Sequence, residues 1–376
     1  MLTMSSDKRR GLVGVVVDET AIARVGETGP LTYRGYEIQD LVANCTFKEV
    51  AYLILYGELP TPAQLRRFQT KERDYRAISP ELIAVIRQFP TTADPMARLR
   101  TAVSYLGLED PGADDNQPEA NLEKAIKMLA RIPTIIAAGY RFHKGLELIP
   151  PRQEVGFVEN FFHMCFGEVP EKAVLRCFDT SLILYADLGF GPSTFTARVV
   201  ASSLSDIYSA VTAAIGSLKG PLHGGANAGV MRTLLEIGEP DRVRGWVEKA
   251  LASKQTISGF GHRVFKRGDP RVPILYTQLQ QMARLRGGEK WMKMQEVLAD
   301  AVRERKNLYP NLDYVAGLAY YLMGFEVELA TPIFAMSRVT GWSAHVMEQL
   351  AANKLIRPIG SYIGPAQRPI AEHTGS

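Results

Sequence analysis

Cysteine is scarce in this sequence: Cys45, Cys165 and Cys177 are the only three in 376 residues, and no two stand in a C-x-x-C spacing. That excludes a disulfide framework and a thiolate metal knuckle. Each sits among apolar neighbours, as in Met164-Cys165-Phe166, the setting of a buried reduced thiol rather than a nucleophile. No uninterrupted apolar run approaches the length needed to cross a bilayer. The polar stretch Met1 to Arg10 has no apolar signal core, so a cytoplasmic location without a membrane partner is expected. An excess of one charge is lacking too. Lys and Arg total 44 against 40 Asp and Glu, a net +4, and the basic residues are scattered except between His262 and Arg271. Such a pattern suits a small phosphorylated or carboxylated ligand and not a nucleic-acid face. Internal repeats and low-complexity tracts are also absent.

Strand signals are few as well. Only residues 11–38 carry them: Gly-Leu-Val-Gly-Val-Val-Val-Asp, Thr-Ala-Ile-Ala-Arg-Val and Leu-Thr-Tyr-Arg-Gly-Tyr, separated by Gly/Pro turns and read as short β-ribbons. From residue 39 the pattern is helical. Thr61-Pro62-Ala63-Gln64 combines an N-cap, a proline at the first helical position and a capping-box glutamine. Ser79-Pro80-Glu81 and Asp94-Pro95-Met96 open helices in the same way. Residues 109–121 read as a polar loop. Thr196 to Ser217 reads as one long helix rich in small residues, suited to close helix or subunit packing. Further helices are predicted near 226–237, 241–253, 272–285 and 291–306, and a last one from Thr331-Pro332 to about Asn353. The fold class is all-α with a small N-terminal β element. At 46% apolar and 22% charged residues, the chain has ample core for one large domain or two.

Against this background two glycine-rich turns stand out. One is Lys219-Gly220-Pro221-Leu222-His223-Gly224-Gly225-Ala226-Asn227; the other runs Gly259-Phe260-Gly261-His262-Arg263-Val264-Phe265-Lys266 and on to Asp269-Pro270-Arg271. Glycine lets a backbone approach a ligand closely. Two imidazoles in such turns, with several cations, are parts for acid–base chemistry on an anionic substrate.

These motifs, with Asn311-Leu312-Asp313, resemble the citrate synthases. The resemblance runs from about residue 11 to about 368. Several stretches, among them Phe162-His163-Met164-Cys165-Phe166-Gly167-Glu168-Val169-Pro170, look most like the bacterial 2-methylcitrate synthases. The resemblance implies a largely helical homodimer. Residues 1–221 and 317–376 would form a large domain, and 222–316 a small domain that closes over the substrates. The implied reaction is a Claisen-type condensation of an acyl-CoA, propionyl-CoA or acetyl-CoA, with oxaloacetate or a related 2-oxo acid. Carried over by position, Asp313 would remove the α-proton, His223 would hydrogen-bond the enolate oxygen, and His262 would polarise the oxo acid's carbonyl. Arg271, Arg338 and, from the partner subunit, Arg357 would hold carboxylates. Coenzyme A contacts would fall at Leu218, Lys219, Gly220, Pro221 and Leu222, and at Arg263 and Lys266. Coenzyme A is thus expected as the carrier of a substrate; no metal and no permanently bound cofactor is expected.

Elsewhere the residues keep ordinary readings: His143, His163, His345 and His373 lie in no matching motif and are read as structural. One stretch departs from the resemblance. The family usually reads Glu/Asp-His-Gly-Phe-Asn-Ala-Ser-Thr-Phe, where this chain has Asp187-Leu188-Gly189-Phe190-Gly191-Pro192-Ser193-Thr194-Phe195. Leu188 thus replaces a histidine expected to contact the oxo acid, and Gly191 an asparagine. Ala330 stands where a bulky aromatic is common. These departures leave three alternatives beside the 2-methylcitrate synthase reading: a plain citrate synthase, a pocket retuned to a less charged 2-oxo acid, and a non-catalytic homologue.

Overall fold

The structure is a computed structural model that describes residues 10–12, 14–26 and 30–369. Three two-residue strands, β1 (Ala23–Arg24), β2 (Thr32–Tyr33) and β3 (Tyr36–Glu37), form an antiparallel sheet in sequence order. Helices follow: α1 (Ile38–Asn44), α2 (Phe47–Tyr56), α3 (Pro62–Asp74), α4 (Pro80–Arg87), α5 (Pro95–Leu108), α6 (Pro118–His143), α7 (Phe157–Phe166) and α8 (Lys172–Tyr185). The second half holds α9 (Pro192–Ser202), α10 (Ile207–Leu218), α11 (Ala226–Ile237), α12 (Val243–Ala252), α13 (Arg271–Leu285), α14 (Glu289–Lys306), α15 (Leu312–Leu322) and α16 (Ala330–Ala351).

The cap–proline signals mark true helix starts. The Thr61 hydroxyl accepts from the Gln64 backbone N–H at 3.4 Å while Gln64 Oε1 accepts from the Thr61 N–H at 2.9 Å. Ser79 caps α4 and Asp94 caps α5 likewise. Each such cap contributes about 1 kcal/mol by satisfying amides that the helix leaves unpaired.

Helix α16 is buried on every side from Ala330 to Val346. A helix buried all round sits at the centre of a fold, and α2, α6, α8, α9 and α10 pack around this one. The chain therefore presents side chains from α16 to a cleft bordered by α8, α9 and the turns beside α11, α13 and α15.

Three local expectations change. The Gly14–Asp18 run forms no strand; Val16 is 88% exposed, and among the described residues no strand pairs with it. The stretch Thr196–Ser217 is not one helix. It breaks between Ser202 and Ile207, where Leu204 takes φ +66° and the Asp206 carboxylate caps α10 by accepting from the Ser209 N–H at 2.8 Å. The polar loop after α5 ends at Gln117, because Pro118 opens α6 and draws residues 118–121 into it. Among the described residues no helix is long and apolar enough to cross a membrane.

Candidate active site

The His223 turn joins α10 to α11. It closes through the Gly224 N–H to Leu218 carbonyl bond (2.9 Å) and the His223 N–H to Gly220 carbonyl bond (2.9 Å). Thr331, at the start of α16, donates to the Gly224 carbonyl at 2.9 Å and so fixes the turn to the central helix. The ring of His223 lies with Nε2 2.9 Å from Ser193 Oγ and 3.4 Å from the Ser193 N–H. Trp342 donates its indole N–H to the same Ser193 oxygen at 3.1 Å. A backbone N–H can only donate, so Nε2 is the acceptor nitrogen and Nδ1 carries the proton. That N–H has no protein partner among the described residues. Burial, and then the Arg338 charge, hold the imidazole down at about 4, so it is neutral near pH 7.

His262 is set the opposite way round. Its Nδ1 accepts from the Val264 and Phe265 N–H groups, both at 3.1 Å, which leaves the proton on Nε2. The ring stacks on Phe265 at 4.7 Å between centroids. Burial and the Arg271 charge lower it too to about 4. The cleft therefore contains two uncharged imidazoles, each with one N–H free to donate.

The carboxylate sits in the first turn of α15. Asn311 caps this helix, accepting from the Asp313 N–H at 3.1 Å while donating to the Gly261 carbonyl at 2.9 Å. Further bonds from Gly261 N–H to Tyr309 carbonyl (2.8 Å) and from Asn311 N–H to Gly259 carbonyl (2.9 Å) lace the His262 turn to the Asp313 turn. Gly259 has φ +85°, and an added Cβ would lie 2.5 Å from Val230 Cγ2, so only glycine fits. The Tyr185 hydroxyl donates to Asp313 Oδ1 at 2.6 Å. Burial pushes the Asp313 carboxyl up to about 6, against the pull of the Tyr185 bond and the Arg271 and Arg338 charges.

Both arginines are almost fully buried, Arg271 at 4% and Arg338 at 1% exposure. Arg271 is held bidentately by Asp269, at 2.9 and 2.7 Å, and Asp269 Oδ2 also accepts the Leu312 N–H at 3.1 Å. Arg338 donates from Nε to the Tyr185 carbonyl at 2.6 Å and lies 4.7 Å over the Phe334 ring. Its Nη2 is buried with no acceptor. A buried guanidinium N–H without a partner is costly, and a substrate carboxylate would satisfy it bidentately.

The structure thus brings His223, His262, Asp313, Arg271 and Arg338 into one charged neighbourhood. It places other candidates differently. Leu218 is wholly buried and its carbonyl is taken by the turn. Lys219, Pro221 and Leu222 are exposed, Gly220 is partly buried, and Arg263 and Lys266 form an exposed cationic border beside His262. Leu188 packs against the core, and a Cβ at Gly191 would meet only Arg338 Nη1, at 4.0 Å. Arg357 lies exposed in an extended tail, outside the cluster. Three working side chains escaped the sequence reading: Tyr185, which shows only as a face of α8, and Ser193 and Trp342, whose link to His223 spans 30 and more residues. Among the described residues no three His, Cys, Asp or Glu side chains gather as a metal would require.

Comparison with known proteins gives the family. The family profile described as "Citrate synthase, C-terminal domain" matches residues 11–359. The chain belongs to the citrate synthase family. It is 51% identical over 363 residues to a protein named 2-methylcitrate synthase from Mycobacterium tuberculosis H37Rv, covering 96% of this chain and 92% of that one. It is also 51% identical, over 362 residues and 96% of each chain, to a Mycolicibacterium smegmatis protein named citrate synthase. Among solved structures it resembles the Thermoplasma acidophilum citrate synthase, in ternary complex with carboxymethyl coenzyme A and oxaloacetate. The TM-score is 0.92 at 33% identity, covering 96% of this chain and 98% of that one. The protein is an enzyme of the citrate/2-methylcitrate synthase type.

A base must be deprotonated to act, so turnover is expected to rise with pH through about 6 as Asp313 ionises, while both histidines stay neutral throughout. The Tyr185 bond favours the carboxylate. Tyr185→Phe is therefore expected to move that limb upward by about one pH unit, since a hydrogen bond to a charged group is worth about 1.5 kcal/mol. A pH–rate profile of the two proteins checks this; a limb that stays in place would contradict it.

Proposed function

We propose that this site condenses an acyl-CoA, propionyl-CoA or acetyl-CoA, with oxaloacetate or a related 2-oxo acid, and that water then releases free CoA and 2-methylcitrate or citrate. Asp313 takes the α-proton of the thioester. The free Nδ1–H of His223 donates to the enolate oxygen as charge develops there, which a carboxylate base alone could not manage against so weak an acid. The enolate carbon forms the new bond to the oxo acid's carbonyl carbon, and the Nε2–H of His262 polarises and protonates that carbonyl's oxygen. Arg271 and Arg338 hold carboxylates. The observation that carries this reading is the pair of neutral imidazoles, each with one free N–H, set beside an aspartate poised near 6. Arg263 and Lys266 are the exposed cations suited to the phosphates of coenzyme A. Residues 222–316 would act as the closing domain, in a cytoplasmic enzyme without nucleic-acid or membrane partners.

Leu188 and Gly191 favour a second reading, in which the same chemistry serves a 2-oxo acid less charged than oxaloacetate. Leucine cannot donate to a carboxylate, and a donor lost there is worth about 1.5–3 kcal/mol, roughly ten- to a hundredfold in affinity. Thiol release is the test, with acetyl-CoA and propionyl-CoA each offered oxaloacetate and a panel of other 2-oxo acids. Brisk release with propionyl-CoA and oxaloacetate is expected, and Leu188→His should lower the KM for oxaloacetate at least tenfold. No improvement in that variant removes Leu188 as the limiting residue. CoA binding without turnover on any 2-oxo acid would overturn the enzymatic reading.

A homodimer completes the proposal. The tail 353–369 carries Leu355, Ile359, Tyr362 and Ile363 at 62–89% exposure, an apolar surface that a second subunit would cover. Arg357 on that tail would then enter the partner's site. Arg357→Ala and Asp313→Asn chains, each nearly inactive alone, are expected to regain up to about a quarter of wild-type activity per subunit once mixed and reassembled. Absence of any recovery, with subunit exchange verified, would place Arg357 outside the partner's site.

A further inference from the structure

A cavity of about 390 Å³ is lined by residues outside the catalytic cluster. It is bounded by α4, the start of α5, the end of α6, the 3-10 turn Val327–Leu329 and the first turn of α16. None of His223, His262, Asp313, Arg271 or Arg338 lines it. Its volume is in the range of small-molecule sites, and its walls are largely apolar, with Phe89, Leu99, Ile135 and Leu329 among them.

The charges around it are unevenly spent. Asp94 is committed to capping α5, accepting from Met96 and Ala97. Glu326 is ion-paired with Lys144, and Glu328 with Arg232 at 3.2 Å. Arg98 has no such partner. Its Nε donates to the Ala93 carbonyl and one Nη to the Gly139 carbonyl, both at 3.0 Å; among the described residues it forms no direct ion pair, and the Asp94 and Glu326 carboxylates act on its charge only at longer range. The cavity thus pairs an apolar body with one half-buried guanidinium whose remaining nitrogen has no acceptor.

We propose that this cavity is a binding site for an apolar monocarboxylate, its chain among the aliphatic side chains and its carboxylate on Arg98. The proposal is independent of the assignment of catalytic roles. The position of the site gives it a route to the reaction centre. Leu329 and Pro332 line the cavity, while Thr331 between them holds the His223 turn, and Glu328 on the same stretch pairs with Arg232 of α11. A ligand here bears on the joint between α16 and residues 222–316.

Octanoate is the probe, with octan-1-ol as its uncharged match, both followed by calorimetry and saturation-transfer NMR on the full chain. Two variants separate the parts of the site. Arg98→Met removes the charge. Gly139→Leu fills the space: a Cβ there meets nothing within 4 Å, and leucine is the better helix former, so folding and basal turnover should be kept. Octanoate is expected to bind one per chain and at least tenfold tighter than octanol. Arg98→Met should erase that preference and Gly139→Leu should abolish binding of both. Saturating CoA and oxaloacetate should leave octanoate in place. No binding, binding that survives Gly139→Leu, or displacement by CoA would each overturn the proposal.

Discussion

The site depends on keeping Arg338 out of water with no direct ion pair, its charge offset only through the field of the buried Asp187. The guanidinium rises from a helix buried on every side, one bond goes to the Tyr185 carbonyl, and Nη2 has no acceptor. Such a group is tolerated only where the surrounding packing holds it in place and a ligand repays its desolvation. Its field then sets the other groups. It helps keep His223 neutral, and with Arg271 it holds Asp313 below where burial alone would drive it. Arg271, by contrast, is matched against Asp269, so the two cations are not equivalent: one is ion-paired within the protein, the other is not.

Two hydrogen-bond arrangements fix the tautomers on which the proposed chemistry rests. Ser193 and Trp342 fix the acceptor nitrogen of His223, and the Val264 and Phe265 amides fix that of His262, so each ring presents its proton to the cleft. The backbone lacing between Gly259–Gly261 and Tyr309–Asn311 keeps the second imidazole and the carboxylate in fixed relation although some 50 residues separate them.

Much of this was legible in the sequence because it is written in local chemistry. Thr61, Ser79 and Asp94 before prolines mark helix starts, and glycines around His223 and His262 mark turns where backbone must pass close. Thr331-Pro332 marks the start of the last long helix, though its place at the centre of the fold shows only in its burial. Tyr185, Ser193 and Trp342 were not legible as site residues, since their roles arise from contacts between helices that no spacing encodes. The break at Leu204 was missed because small helix-compatible residues flank it on both sides, although Asp206 with Ser209 was a cap in plain view. The valines at 15–17 read as a strand by propensity alone, yet among the described residues no strand pairs with them. Leu188 and Gly191 were legible as departures from a family pattern. The structure adds that Gly191 leaves open space beside Arg338 Nη1, while Leu188 packs against the core.

The central claim is that Asp313, with His223 opposite, labilises the α-proton of an acyl thioester. Exchange of the propionyl-CoA α-protons with D2O, followed by NMR in the presence of an unreactive 2-oxo acid analogue, tests this step without requiring condensation. The account predicts exchange in the wild-type protein and its loss by a factor of about 10²–10⁴ in Asp313→Asn. Exchange that continues unchanged in that variant would contradict it.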